Sequence, residues 1–384
     1  GVTYQVIINT GTDSSFNGGI TAQGKTDERG IGDFYYTPPA GFLALCTRNI
    51  PDPAIVPSDH FNSVMWTGNG STQSITGVGF QPGLVWGKQR DSGGGNHVMF
   101  DVVRGTTKML APDITAAEET QSGVTSFDSD GFSVGSWSGS NNNGANFIGW
   151  AWKTPSSTAT NTSGSINSTV SANTAAGFSI VSYTGTGANA TVGHGLSKAP
   201  DFFVTKTRSH TGDWMVYYGD NTDFLKLNET NATEDLAAVW NDTSPTSSVF
   251  SLGSNGDVNT NGRTYIAYCW HSVEGYSKIG TYTGNGNADG TFVYTGFRPA
   301  FLMQKRINAA GQMWMITDSV RDPYNAVDGY VQANSSNAEA NYDFFDFTAT
   351  GFKHRHTSSH SNGTGDTYIY MAFAETPAKY ANAK

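Results

Sequence analysis

The residues best placed to do chemistry are few. His354-Arg355-His356 is the metal-ligand candidate. On a strand, residues at i and i+2 share a face, so His354 and His356 would present both imidazoles together, and three chains meeting on an axis would offer six nitrogens. With His360 close by, the competing reading is a hairpin of solvated histidines. Asp257-Val258-Asn259-Thr260-Asn261-Gly262 begins like a calcium loop, but its twelfth position, where a bidentate glutamate is required, is Tyr268. Asn285-Gly286-Asn287-Ala288-Asp289-Gly290 fails in the same way at Gly296, and hairpin turns are expected at both. Gly135-Ser136-Trp137-Ser138-Gly139 lacks the spacing of a nucleophile elbow. The glutamates are scattered, and Glu118-Glu119 fall in an expected surface helix, so no paired carboxylates suited to glycoside hydrolysis are assigned. No catalytic residue and no cofactor are expected, and the chain reads as a non-enzyme. Trp86, Trp137 and Trp214 are the candidates for stacking on saccharide, with core or inter-module packing as the competing fate.

The elements that must carry these residues repeat three times. Aromatic-Thr-Gly-x-Gly occurs as Trp66 to Gly70, Tyr183 to Gly187 and Tyr282 to Gly286. A proline leads an apolar strand ending in lysine at Pro82 to Lys88, Pro200 to Lys206 and Pro299 to Lys305. A closing motif follows as Phe147 to Trp152, Tyr265 to Trp270 and Tyr368 to Phe373. Three motifs in one order at near-constant spacing imply tandem modules of about 100 residues. In the closing motif, Ile148, Trp150 and Trp152 share one face, as do Ile266, Tyr268 and Trp270, and Ile369, Met371 and Phe373. A central strand of a two-layer sandwich, packed hard on that face, is expected. The recurring Lys88/Arg90, Lys206/Arg208 and Lys305/Arg306 are expected to pair with Asp101 or Asp318.

Composition agrees with this. The chain has 384 residues, 46 of them glycine, and only 14% are charged, so good helix formers are scarce and turn residues abundant. Helix is expected only near Thr115 to Thr120 and Thr233 to Trp240. A net charge of −10, without a basic run, argues against nucleic acid and against an anionic membrane surface. No apolar stretch reaches the length of a membrane span. Gly1-Val2-Thr3-Tyr4 does not read as a signal peptide, and without Met the chain is expected to be part of a longer one. Cys46 and Cys269 have no local partner and are expected to be buried small hydrophobes.

The fold class read from these patterns is all-β: three tandem β-sandwich modules plus an N-terminal partial sandwich. The expected boundaries are 1–57 for the partial sandwich, 58–153 for module 1, 154–176 for a Ser/Thr/Asn-rich flexible linker, 177–272 for module 2, 273–376 for module 3 and 377–384 for a tail. The short junction His271 to Tyr276 is expected to fix modules 2 and 3 more firmly than modules 1 and 2.

The run Gly30 to Thr47, with Asn49-Ile50-Pro51 after it, resembles the C-terminal end of SPRY-type β-sandwich domains of bacteriophage fibre proteins. Gly79 to Trp86, Asp101-Val102-Val103-Arg104-Gly105 and Phe147 to Trp152 resemble the tandem modules of marine and cyanobacterial phage virion proteins, and Phe373 to Tyr380 resembles their terminal segment. The second copy departs from the pattern, offering Tyr217-Tyr218-Gly219-Asp220 where copies one and three carry an Asp/Arg pair. The resemblance implies a virion protein in a tail fibre or appendage, oligomeric and with a trimer favoured. It implies host-surface saccharide and other virion proteins as partners, and raises His354 and His356 as ligands for a metal on a fibre axis. A capsid-attached head fibre or decoration protein and a polysaccharide-degrading tailspike are the alternatives.

Overall fold

The computed structural model describes residues 8–46, 49, 55–91 and 94–375. The chain divides into two compact units, residues 1–54 and residues 55–376. In the first unit the described residues hold one isolated antiparallel bridge, Lys25 with Phe34, and no strand. The strands expected there are replaced by loops gathered on a buried carboxylate. Asp27 accepts from the backbone N–H of Ile31 and Ala44 and from the Asn49 amide. Phe42 and Leu45 are exposed, and Cys46, expected to be buried, is half-buried. Ile50 and Pro51, and the tail over 377–384, lie outside the described residues.

The second unit is all-β and holds the three repeats. In module 1 one sheet runs, edge to edge, Phe61–Thr67, Asn146–Trp152, Leu84–Gln89, Val98–Asp101, Gly105–Leu110 and Glu119–Thr120, and a smaller one runs Gln73–Thr76, Gly131–Val134 and Val124–Asp128. Module 2 repeats the main sheet around Phe178–Thr184, Thr264–Trp270 and Phe202–Thr207, and pairs Ala190–Gly193 with Val249–Leu252 as its second layer. In module 3 the layers join into one sheet, which starts at Ser277–Thr283, Thr367–Ala374 and Pro299–Arg306 and curls round to Ala340–Thr348, Gly351–His354 and Phe292–Tyr294. The closing motif is an internal strand each time, antiparallel to both neighbours.

Its two faces go to different cores. The small, mixed face packs inside its own module: Ala151, then Tyr265, Ala267 and Cys269, then Tyr368, Tyr370 and Ala372. The large face does not meet the second layer of its module, as expected of a simple sandwich. Ile148, Trp150 and Trp152 join Ile266, Tyr268 and Trp270 and Ile369, Met371 and Phe373 in one cluster common to all three modules. The modules are therefore arranged in a ring around a shared core, and not strung out. A void of about 10 Å³ at the centre is lined by apolar side chains of all three modules.

Polar contacts close the ring in cyclic order. The Lys88 ammonium donates to the carbonyls of Gln89 and Gly95 (both 2.9 Å) and of Ser336 in module 3 (3.1 Å). Lys206 donates to Gly212 (2.9 Å) and to Thr115 in module 1 (3.0 Å). Lys305 donates to Arg306 (2.9 Å) and to Thr230 (3.3 Å) and Asn231 (3.0 Å) in module 2. All three lysines are fully buried, and none pairs with Asp101 or Asp318. Those carboxylates instead start two inter-module ion relays, Asp101–Arg104–Glu118–Arg208 and Asp318–Arg321–Glu339–Arg90. Each also accepts from the closing strand of the next module, Asp101 from the Tyr268 hydroxyl (2.8 Å) and Asp318 from Trp150 Nε1 (3.1 Å).

Two expected elements are corrected. The segment 154–176 is no free linker: Ala159–Asn161 and Ser168–Asn173 extend the main sheet of module 2. Its hydroxyls are used, Ser168 Oγ donating to the Gly193 carbonyl and Ser171 Oγ to Pro155. Thr115 to Thr120 is extended and not helical, ending in Glu119–Thr120, because the Glu118 N–H is taken by the Arg208 carbonyl of module 2. Glu118 is thus an interface residue and not part of a surface helix. The junction between modules 1 and 2 is as fixed as the one after it, since a lysine and a backbone bond cross both.

The glycine signature has a local cause. Gly70, Gly187 and Gly286 donate N–H bonds to the carbonyls of Asn141, Asn259 and Asn362. Each of these asparagines is fully buried, lies six residues before its closing motif, and accepts from the backbone of the residue between the two glycines. A Cβ on Gly68, Gly185 or Gly284 would stand 2.2, 2.4 or 2.3 Å from a carbonyl oxygen of that loop, so only glycine lets the two loops close.

Candidate functional site

The expected site residues are placed as follows. Trp86 and Trp214 are buried in the shared core, Trp86 donating to His97 Nδ1 (2.9 Å) and Trp214 to the Ala111 carbonyl (3.0 Å), and neither has a ring face open to a saccharide. Trp137 is half-buried, its ring against Gly139 and Gly123. His354 points inward among Tyr282, Phe345 and Phe352, and burial pushes its pKa down to about 3. His356 accepts from the Ser358 N–H (2.8 Å) and meets Ser361 Oγ (2.8 Å), and burial lowers its pKa to about 4. The two rings are 6.5 Å apart at 76°, so they do not form the side-by-side donor pair expected of an exposed strand. Among the described residues no group of three or more His, Cys, Asp or Glu side chains is arranged to hold a metal. Nor, among them, is any helix long and apolar enough to cross a membrane.

A different surface of module 3 stands out when the three modules are compared. The short strand that opens the second layer turns an apolar residue inward in each copy, Ile75, Val192 and Val293, all buried. The residues flanking it point outward by strand alternation. They are Ser74 and Thr76 in module 1 and Phe292 and Tyr294 in module 3, whereas in module 2 Thr191 is half-buried and Gly193 is buried against Asn161. Phe292 is 47% and Tyr294 67% exposed. Large exposed rings on the second unit occur only in module 3 among the described residues, where Tyr324 and Tyr342 join them.

The neighbouring strands add polar groups to the same face. Phe292 pairs with Lys353, and Lys353 with Asp346. The Lys353 ammonium is paired with Asp289, in the Asn285 to Gly290 segment expected to be a hairpin turn. The Arg355 guanidinium is paired with Asp346. Arg355 separates two open recesses. One, of about 470 Å³, is lined by Asp328, Asn341, Tyr342, Asp343 and His356. The other, of about 340 Å³, is lined by Ala288, Asn325, Asp343 and Asp346. Tyr342 is half-exposed, its ring held against Phe344 and His356 at 4.7 and 5.3 Å between centroids. The hydrogen bonds that fix the His356 ring therefore also set the platform under Tyr342.

This arrangement suits a ligand with alternating apolar faces and hydroxyl edges. Rings offer broad contact at small entropic cost, while carboxylates accept and Arg355 and Asn341 donate. The sequence reasoning missed Phe292, Tyr294 and Tyr342. The signal was present in Phe292-Val293-Tyr294, where alternation about an apolar centre puts both rings outward.

No curated protein matches the chain. The model of the family described as a domain of unknown function, DUF7483, matches residues 56–377, which is the three-module unit, and the chain belongs to that family.

Proposed function

We propose that the chain is a non-catalytic attachment protein whose three-module ring is a rigid support and whose third module presents a saccharide-binding face. The observation that carries this is the outward pair Phe292 and Tyr294, aromatic where module 1 holds exposed Ser74 and Thr76 on the same strand. Solvent-exposed rings beside satisfied charged pairs do nothing for the fold, and such patches mark binding surfaces. The setting we propose, from the sequence resemblance, is a bacteriophage tail fibre or appendage facing the host, with other virion proteins as neighbours.

The test is binding of the full chain to host-surface polysaccharide and to a glycan array, beside a Phe292→Ser/Tyr294→Thr variant that installs the residues of module 1. Loss of binding with an unchanged unfolding midpoint supports the assignment. Equal binding by both proteins overturns the site, and failure of the parent chain to bind any glycan overturns the reading. Release of reducing sugar would assign a degrading tailspike instead, and localisation on the capsid a decoration role.

A further inference from the structure

Strand register makes the three module junctions directly comparable. Leu84 lies opposite Asp101 and Phe301 opposite Asp318, while Phe203 lies opposite Tyr217, so Tyr218 stands where the other modules have their buried aspartate. Three residues on, Arg104 and Arg321 correspond to Asn221. The backbone bonds Glu118 to Arg208 and Glu339 to Arg90 are matched by Thr233 to Ile307. All four members of the ion relay are thus replaced together at the junction of modules 2 and 3. The closing-strand donor is replaced as well: Met371 occupies the place of Tyr268 and Trp150.

What stands there is a groove of about 460 Å³, lined by Tyr218, Thr233 and Ile307, three of the four replacements. Its remaining wall is polar, with Asp220, Asp223, Thr281, Asn308 and Thr367. Tyr218 donates its hydroxyl to Asp223 (3.3 Å), and the Asp220 carboxylate is oriented by Thr222. The carboxylates that hold a guanidinium at the sister junctions are gone, so the groove is no vacated arginine socket. It combines one aromatic and one aliphatic side chain with carboxylates, an amide and three threonine hydroxyls, within the size range of small-ligand sites.

We infer that this groove is a second binding site, separate from the outer face of module 3, for a single sugar residue or short saccharide. Tyr218 and Ile307 take its apolar face, and Asp220, Asp223 and Asn308 its hydroxyls. This rests on the saccharide reading above for its ligand class but on different residues, so the two can fail independently.

The experiment is calorimetric titration of the full chain with a panel of methyl glycosides, with methylguanidinium as the cationic control. Two variants accompany it: Asp223→Asn, and the relay transplant Tyr218→Asp/Asn221→Arg/Thr233→Glu/Ile307→Arg, which refills the groove with the sister residues. At least one glycoside should bind, weakened about tenfold or more by Asp223→Asn, as expected where a hydroxyl loses a charged acceptor. The transplant should abolish this binding, and Phe292→Ser/Tyr294→Thr should leave it unchanged. No saturable glycoside binding, binding insensitive to Asp223→Asn, or preference for methylguanidinium would each overturn the inference. Loss of binding in the Phe292/Tyr294 variant instead would assign the sugar to the outer face alone.

Discussion

Replacing Lys305 with Met tests whether the buried lysines hold the ring together. The ammonium donates to three carbonyls, two of them in module 2. A hydrogen bond to a charged group contributes about 1.5–3 kcal/mol, so three give about 6 kcal/mol. Burial, with the nearby Arg306 charge, lowers the ammonium's pKa from 10.5 to about 8. At ~1.4 kcal/mol per pH unit, keeping it charged at neutral pH costs ~3 kcal/mol. The difference predicts that Lys305→Met loses about 3 kcal/mol at pH 7. Urea unfolding followed by tryptophan fluorescence would show a lower midpoint; Lys88→Met, with three carbonyl acceptors, should lose a similar amount, and Lys206→Met, with two, should lose less. A second reading comes from pH. Between about 8 and 10.5 the unfolded state holds this proton and the folded state has released it, so the parent gains stability as pH rises through that window. Lys305→Met should show less of that rise. A variant as stable as its parent at pH 7 would refute the net benefit of the carbonyl cage, and a loss confined to one lysine would refute the equivalence of the junctions.

The remaining predictions concern the loops, the relays and acid. Gly185→Ala should destabilise the chain by several kcal/mol, about the scale of other severe backbone strain, because its Cβ would lie 2.4 Å from the Thr260 carbonyl, whereas Gly256→Ala, whose Cβ meets nothing closer than 3.4 Å, should be tolerated in the same thermal melt. Arg104→Met leaves Asp101 buried without its cation and should cost about 3–5 kcal/mol in urea unfolding, partly recovered when Asp101 is also made Asn. With His354 held to a pKa of about 3, the unfolded state binds the extra proton below about 6.5, so stability falls as pH drops, by about 2 kcal/mol at pH 5 from this group alone. His354→Phe, in its aromatic surroundings, should flatten that acid limb in a pH series of unfolding midpoints.

The repeats, the strand identity of the closing motif and the two-faced nature of that strand were legible because spacing and alternation are local properties. What the large face would meet was not. Alternation says that Trp150 and Trp152 share a side, but the partners that cover that side come from all three modules, and Trp270, Phe301 and Phe373 are more than a hundred residues away in sequence. The segment 154–176 read as a linker because it contributes only Ile166, Val170 and Ala176 to buried apolar surface, while its pairing rests on backbone bonds and small hydroxyls. Glu118 read as helical by residue type, and tertiary pairing overrode that preference. The buried asparagines were hidden inside turn clusters, although their six-residue spacing before the closing motif is constant. For the sites, residue type misled: Trp86 and Trp214, chosen because tryptophan stacks on sugars, are taken up by the core, while the exposed rings of the second unit are Phe and Tyr, Phe292 and Tyr294 among them on an edge strand.

The absence of the Asp/Arg pair from module 2 was visible in the sequence as a departure, and the ring gives its reason. Asp101 and Asp318 need a donor from the closing strand of the next module, and Tyr268 and Trp150 supply it. For module 2 that strand belongs to module 3 and carries Met371, so a buried aspartate there would lose a partner. Donor and acceptor are lost together, across modules. Such a change is tolerable because a buried ion relay repays little beyond its own desolvation, and an apolar replacement can match it. The lysine latch, whose acceptors are main-chain carbonyls, survives at all three junctions because any residue supplies a carbonyl. The ring can therefore open its surface at one junction, and change the outward residues of one strand, without touching what closes it. The two places where the modules differ most in polar character, the groove beside Tyr218 and the face around Tyr294, are where binding can evolve at little cost to the fold.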